Sequence, residues 1–273
     1  MKNARSRRGA GCAEFLVLLN RGFEARSRAL ALFLDLKTEA LFHLWISAVV
    51  LIGFVKVMAA PMKPDGLAAL MVMLLPFLLV AAAPIAGYRL AQSSFPRGLI
   101  APQPALRLSR YGRWRTLDVV AARREAAFGP NGFMASLIVN ILLNVPFRSI
   151  EYLLAVPAMS LSAPGWAQAI GQVMTFDVIV MNFLYMVCFV MALRSVPLFP
   201  RMLLLVWIMD VVMQLLIARY VAGAEGLPAS VIPALRHILE GNIQKVLISV
   251  SVWLPYLILS HRVNLTFRHR VRA

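Results

Sequence analysis

Four ionisable side chains stand inside long apolar stretches of this sequence, where they are well placed to do chemistry. They are Arg148, Glu151, Asp177 and Asp210. An ionisable group in hydrocarbon costs roughly 2.5 to 3.5 kcal/mol on insertion scales, so such groups are normally paired or line an aqueous cavity. A carboxylate beside an arginine can exchange a proton, hold an ion or form a permanent ion pair.

Two asparagines extend this polar pattern along one helical face. Asn140, Asn144 and Arg148 follow one another at steps of four residues, which places them on the same side of a helix. Arg148 also faces Glu151, three residues further on, and either Arg148 or Lys245 is expected to neutralise an aspartate. The sequence therefore predicts one intramembrane polar cluster, formed by Asn140, Asn144, Arg148, Glu151, Asp177 and Asp210.

Two interpretations of this cluster stay open at this point. In the first, Glu151, Asp177 and Asp210 change protonation while Arg148 supplies a counter-charge, which makes a proton or ion relay or a small polar site. In the second, the same groups pair statically and fix the register of the helices. We expect the static role.

Catalytic and metal-binding motifs are missing from the sequence. It has no His-Glu-x-x-His, Gly-x-Ser-x-Gly, Walker-type loop or Gly-x-Gly-x-x-Gly pattern. The two cysteines, Cys12 and Cys188, lie far apart and show no ligand spacing. We therefore expect a protein that is not an enzyme, with no catalytic residue, no metal site and no cofactor.

The elements that must position the polar residues are long and apolar. Of the 273 residues 60% are apolar and 15% charged, and the mean hydropathy is +0.75. Soluble domains carry about 25% charged residues, so a water-soluble globule is excluded. A bilayer core needs roughly 20 apolar residues in a helix, and the sequence predicts an all-α, polytopic membrane protein with six transmembrane helices. They are expected at 41–60, 67–88, 132–157, 169–193, 202–221 and 243–260.

The basic residues alternate from one connection to the next. Of 28 Lys and Arg residues, 8 lie in residues 1–40, 8 in 89–131, 2 in 194–201 and 4 after residue 260. Cytoplasmic segments of membrane proteins carry such an excess. The pattern predicts that both termini are cytoplasmic.

The same map divides the chain into parts. Residues 12–36 mix apolar side chains with arginines and are expected to form an interfacial helix or a loosely ordered basic tail. The predicted parts are a basic N-terminal segment at 1–40, a two-helix membrane extension at 41–88, a basic cytoplasmic loop at 89–131 and a four-helix membrane domain with a basic tail at 132–273.

Aromatic and basic residues interleave in the loop, at Arg110, Arg113, Trp114 and Arg115. Such a pattern can stack on nucleobases and bind phosphate. Membrane-surface loops have the same composition, because tryptophan anchors at the headgroups and arginine attracts anionic lipid. We expect a lipid or partner surface here and no nucleic acid, with a surface helix over 116–128.

The last apolar stretch and its tail carry a distinctive run of residues, Trp253, Pro255, Tyr256, Ser260, Arg262, Val263, Thr266 and Phe267. This run resembles the ending of a family of bacterial inner-membrane proteins, domain of unknown function 2569. The short connection with Phe199-Pro200-Arg201 resembles that family as well. The resemblance covers about residues 132–270 and implies a four-helix membrane domain with no known activity.

These observations lead to a functional expectation. We expect a multi-pass protein of the bacterial inner membrane that serves as a non-catalytic structural or accessory subunit, bound to other membrane proteins and to anionic lipid. The alternative is a channel or transporter for a small ion or solute that uses the intramembrane polar cluster.

Overall fold

Helices dominate the structure, a computed structural model that describes residues 2–98, 100–104, 112–223 and 225–273, with side chains from residue 22 onward. Six of the helices are long and apolar enough to cross a membrane. The predicted class is confirmed, and the chain is an all-α, multi-pass membrane protein. In chain order the elements are α1 (Lys2–Met58), α2 (Leu67–Ser94), β1 (Trp114–Thr116), α3 (Val119–Arg124), α4 (Phe133–Ala155), α5 (Gly165–Leu193), α6 (Phe199–Ala222), α7 (Val231–Leu259), α8 (His261–Arg268) and β2 (Arg270–Arg272).

Helix α5 is the centre of the bundle, and it packs against α2, α4 and α6. In its most apolar window 67% of the residues are buried, against 11% for α7, which packs mainly on α6. Close approach of α2 to α5 depends on Gly87, because a Cβ there would lie 2.4 Å from the carbonyl oxygen of Phe183. Small residues permit such contacts between membrane helices.

The first helix differs from the expectation for the N-terminal segment. Helix α1 runs without a break from Lys2 to Met58, so residues 12–36 do not form a separate interfacial helix. No proline occurs before residue 61, and nothing in the sequence ends the helix ahead of the first span. Its residues Ser27, Ala31, Leu34 and Thr38 are buried at helical spacing, so this part of α1 packs against the protein.

The connection between α2 and α4 contains a shorter helix than predicted. The expected surface helix over 116–128 is wrong, since α3 covers only Val119–Arg124, with the Asp118 carboxylate accepting from the Val120 amide at 3.2 Å as its N-cap. Residues Trp114–Thr116 instead pair antiparallel with Arg270–Arg272. This pairing joins the basic loop to the C-terminal tail.

Further contacts gather α1, the loop and the tail at one end of the bundle, which we call the basic end. Arg262 donates to Glu24 at 2.8 Å, and the amide of Gly132 donates to the Ser27 hydroxyl at 2.7 Å. The amide of Gly129 donates to the Thr266 hydroxyl at 3.0 Å. Segments that are far apart in sequence thus form one connected surface.

Candidate functional site

Three of the predicted polar residues form an ion triad that joins three helices. Arg148 on α4 lies 2.6 Å from the Asp210 carboxylate on α6 and 3.5 Å from the Asp177 carboxylate on α5. The exposed fractions of these residues are 6%, 1% and 4%. A buried charge is tolerated when an opposite charge compensates it at short range, so the triad holds α4, α5 and α6 together.

Neutral side chains complete the hydrogen bonds of both aspartates. The Tyr185 hydroxyl donates to Asp210 at 2.8 Å, and the Gln214 amide donates to Asp177 at 3.2 Å. Asn242 on α7 donates in turn to the Gln214 carbonyl oxygen at 3.2 Å. Every carboxylate of the triad therefore has both a cation and a neutral donor.

Glu151 does not pair with Arg148, contrary to the expectation from their three-residue spacing. It accepts a hydrogen bond from Lys245 on α7, and both side chains are partly exposed. Arg148 turns toward the two aspartates in the interior, which satisfy a guanidinium better than one carboxylate at the edge of the bundle. The Lys245 ammonium also lies 3.5 Å from the Asn242 amide oxygen.

Asn140 and Asn144 lie outside the ion triad. They line a cavity of about 320 Å³ between α4 and α7, which we call the α4–α7 groove. Arg148, Glu151 and Asp210 reach the same groove, whereas Asp177 lines a separate void of about 20 Å³. The six predicted residues are therefore neighbours, and the ion triad borders the groove through Arg148 and Asp210.

The C-terminal run has a structural explanation in its aromatic residues. Trp253 and Tyr256 on α7 both contact Phe133 at the start of α4, with ring centroids 5.0 and 5.1 Å apart. Pro255 lies between them within α7 and is exposed. This aromatic group ties α7 to α4 at the basic end.

The remaining residues of the run build and bury α8. The Ser260 hydroxyl caps the helix at Val263, whose side chain is fully buried. Phe267 is also fully buried and packs against Phe199, with centroids 5.1 Å apart. Thr266 accepts from the Gly129 amide, and Arg262 also donates to the Ala127 carbonyl at 3.1 Å. These contacts pack α8 against the loop and α6 at the basic end.

The predicted lipid or partner surface is only partly exposed. Arg113 and Arg115 are exposed, but the Trp114 ring lies under the Arg270 guanidinium, 4.8 Å from its carbon. Trp114 thus binds the tail of the same chain. Arg110 lies outside the described residues.

Sequence reasoning did not include Tyr185 and Asn242 in the cluster. Each lies inside an apolar helix, and a buried hydroxyl or amide in such a position normally has a partner. The rule therefore indicates from the sequence that both residues need partners. It does not identify those partners, because they lie on another helix.

The described residues were compared with the requirements of a metal site and with one possible pair of base and nucleophile. No group of three or more His, Cys, Asp and Glu among them is arranged to hold a metal ion. Lys245 lies one turn before Ser249, the spacing of a possible base and nucleophile, yet it donates to Glu151 and to Asn242. Comparison with family models, curated proteins and solved structures gives no match to this chain.

Proposed function

We propose that this protein is a non-catalytic accessory subunit of the bacterial inner membrane. The observation that carries the proposal is the buried ion triad, in which both aspartates are paired with Arg148 and bonded to a neutral donor. Charges held in this way organise helices and need not react. The surfaces left for function are then the lipid-facing helices and the basic end.

The orientation in this proposal follows the arginines. The basic end includes the C-terminal ends of α2 and α8 and the loop between α2 and α4. These segments are rich in arginine. Under the positive-inside rule this end faces the cytoplasm, and its exposed residues Arg113 and Arg115 attract anionic lipid, at roughly 1 kcal/mol each. Terminal fusions to alkaline phosphatase and to green fluorescent protein test the orientation. Both ends should fluoresce and neither should show phosphatase activity.

The partner surface in this proposal is the open face of α7. This helix is the least buried of the six, and Leu247, Ile248 and Val252 are exposed on adjoining turns. The tagged protein in mild detergent should carry a second membrane protein in constant ratio. Ile248→Trp should remove that protein, while Ile150→Trp, on an exposed face of α4, should leave it bound. Equal recovery with both variants contradicts the proposed surface.

The static role of the triad separates this proposal from transport. Asp177→Asn should lower the thermal midpoint in detergent, because Arg148 loses one of its two counter-charges. Liposomes containing the native chain should show no more proton flux than empty liposomes. A native proton flux that Asp177→Asn abolishes at an unchanged midpoint overturns the static role.

Transport of a small solute is a second candidate, favoured by one observation. The α4–α7 groove brings Glu151 and Asp210 to the same open space, beside Arg148. The two candidates differ in what a carboxylate of the groove does during function. A solute flux through the native protein that Asp210→Asn abolishes at an unchanged thermal midpoint favours transport.

A further inference from the structure

Two links join α4 and α7 at different levels of the groove. At the basic end the link is Phe133 with Trp253 and Tyr256, and further along it is Glu151 with Lys245. The two levels are separated by eight residues of α7, about 12 Å of helix, and by 18 residues of α4, about 27 Å. Between them lies the groove of about 320 Å³, which is backed by Tyr185 and Asp210.

Polar side chains without a protein partner face this space. Within the described part of the chain, Asn140, Asn144 and Ser249 line the groove, and their side chains make no hydrogen bond to another protein group. Asn140 is exposed and Asn144 and Ser249 are half-buried, so all three can bond a molecule in the groove. A polar group that faces hydrocarbon without a partner costs roughly 2 to 7 kcal/mol, so three of them favour hydrophilic contents in this groove.

Arg148 supplies an independent sign of a ligand. It is 94% buried, and Nη2 bonds Asp210, but its other terminal nitrogen, Nη1, is buried without any hydrogen-bond partner in the described structure. A guanidinium nitrogen only donates. Arg148 lines both the α4–α7 groove and the void of about 20 Å³. The unmet donor therefore favours an acceptor beside Arg148, such as a carbonyl, hydroxyl or carboxylate oxygen.

The charges around the groove limit what that molecule can be. Arg148 and Lys245 line the groove together with Asp210 and Glu151, so two cations face two carboxylates. A free ion of either sign would therefore add an uncompensated charge in a region of low dielectric constant, where such a charge is costly.

The geometry points to the α4–α7 groove as a binding site for a small polar solute that has no net charge, either a neutral polyol or a zwitterion. The amides of Asn140 and Asn144, the Ser249 hydroxyl and the Arg148 guanidinium bond its polar groups. At about 30 Å³ per water molecule, the cavity of about 320 Å³ holds roughly ten non-hydrogen atoms. This proposal depends on neither the accessory role nor transport, because it concerns only the binding of a solute.

Cysteine labelling tests the site in the full chain, purified into lipid nanodiscs with Cys12→Ser and Cys188→Ala. Ser249→Cys places a thiol in the groove, and Ile248→Cys places one on the exposed face of the same helix. Water-soluble methanethiosulfonates should modify Ser249→Cys at least tenfold faster than Ile248→Cys. Equal rates mean a dry groove and overturn the proposal.

Protection from labelling identifies the class of ligand. Glycerol and glycine betaine are the uncharged and zwitterionic probes, and acetate and tetramethylammonium are the matched anion and cation. Either or both of the first two should slow the labelling of Ser249→Cys at least threefold, and Asn144→Leu should weaken that protection. No protection by any probe indicates water alone, and strongest protection by acetate or tetramethylammonium indicates a charged ligand. Each of these outcomes overturns the proposal.

A second labelling position is the control for misfolding of Ser249→Cys. Asn140→Cys places the thiol on α4 rather than α7, on the opposite side of the same cavity. The four probes should slow the labelling of Asn140→Cys in the same order of strength as they slow that of Ser249→Cys. If the order of the probes differs between the two positions, the probes do not bind at a single site.

Discussion

Arg148 in the middle of the spans and Arg268 at the basic end are both buried at least in part, yet they differ in their partners. Arg148 faces two carboxylates. Arg268 donates to the Leu257 carbonyl at 2.9 Å and to the Asn264 amide oxygen at 2.8 Å, and both acceptors are neutral. Arg270 donates to the same Asn264 oxygen at 2.8 Å.

The difference shows how the surroundings decide the kind of partner. Burial, and then the nearby charges of Arg270 and Arg201, lower the pKa of Arg268 to about 10. Water and headgroups near the end of the bundle screen such repulsion, so neutral acceptors suffice there. Hydrocarbon provides no screening, and the charge of Arg148 therefore requires carboxylates. Four substitutions or conditions test this comparison.

The largest effect is expected from Arg148→Met. The substitution leaves Asp177 and Asp210 buried without a cation, and breaking a buried ion pair in this way costs about 3 to 5 kcal/mol. The free energy of unfolding in detergent, followed by tryptophan fluorescence, should fall by that amount.

A compensated variant is the control for this prediction. Arg148→Met combined with Asp177→Asn and Asp210→Asn removes all three charges and should recover most of the lost stability, since neutral replacements of buried ion networks are often tolerated. If Arg148→Met alone leaves stability unchanged, the triad is not what holds α4, α5 and α6.

The next effect concerns packing at the basic end rather than charge. Phe267→Ala removes a fully buried ring from its contact with Phe199 and should cost about 3 kcal/mol. Protease digestion should then release the tail earlier than in the native protein. Phe54→Ala, on an exposed face of α1, is the matched control and should change neither measurement.

A smaller effect is expected from Arg262→Gln. The ion pair with Glu24 is partly exposed, so screening limits its contribution to about 1 kcal/mol. A double-mutant cycle with Glu24→Gln measures this coupling in detergent, and it should decrease as salt is added. A coupling energy between Arg262 and Glu24 as large as the stability lost in Arg148→Met would contradict the difference between the two regions.

The smallest effect is a pH dependence from His269. Burial and then the charge of Arg123 lower its pKa from the usual 6.5, and its Nδ1 accepts from the Gln103 amide at 3.1 Å. The folded protein therefore binds fewer protons than the unfolded chain, so this stability is complete above pH 6.5 and is lost as the pH falls toward the folded value. Unfolding between pH 7.5 and 5 should show this loss, and His269→Gln should flatten the profile. A native profile as flat as that of His269→Gln contradicts it.

The helices could be predicted from the sequence because length and hydropathy are local properties. The second span, expected at 67–88, is α2, Leu67–Ser94, and the fourth, expected at 169–193, is α5, Gly165–Leu193. The first span, expected from residue 41, is part of the much longer α1 (Lys2–Met58), and the last span, expected from residue 243, begins at Val231. The first three turns of this last helix contain Arg236 and Glu240, which a search for uncharged stretches excludes.

The sequence by itself determined that this chain is an all-helical membrane protein and that Arg148, Asp177 and Asp210 need compensation, since hydrocarbon penalises any isolated charge. Only the tertiary structure decided which group compensates which. Arg148 turns away from Glu151, its neighbour along the helix, because two aspartates on other helices satisfy it better. The same distances across helices leave a groove between α4 and α7, which spacing within one helix does not specify.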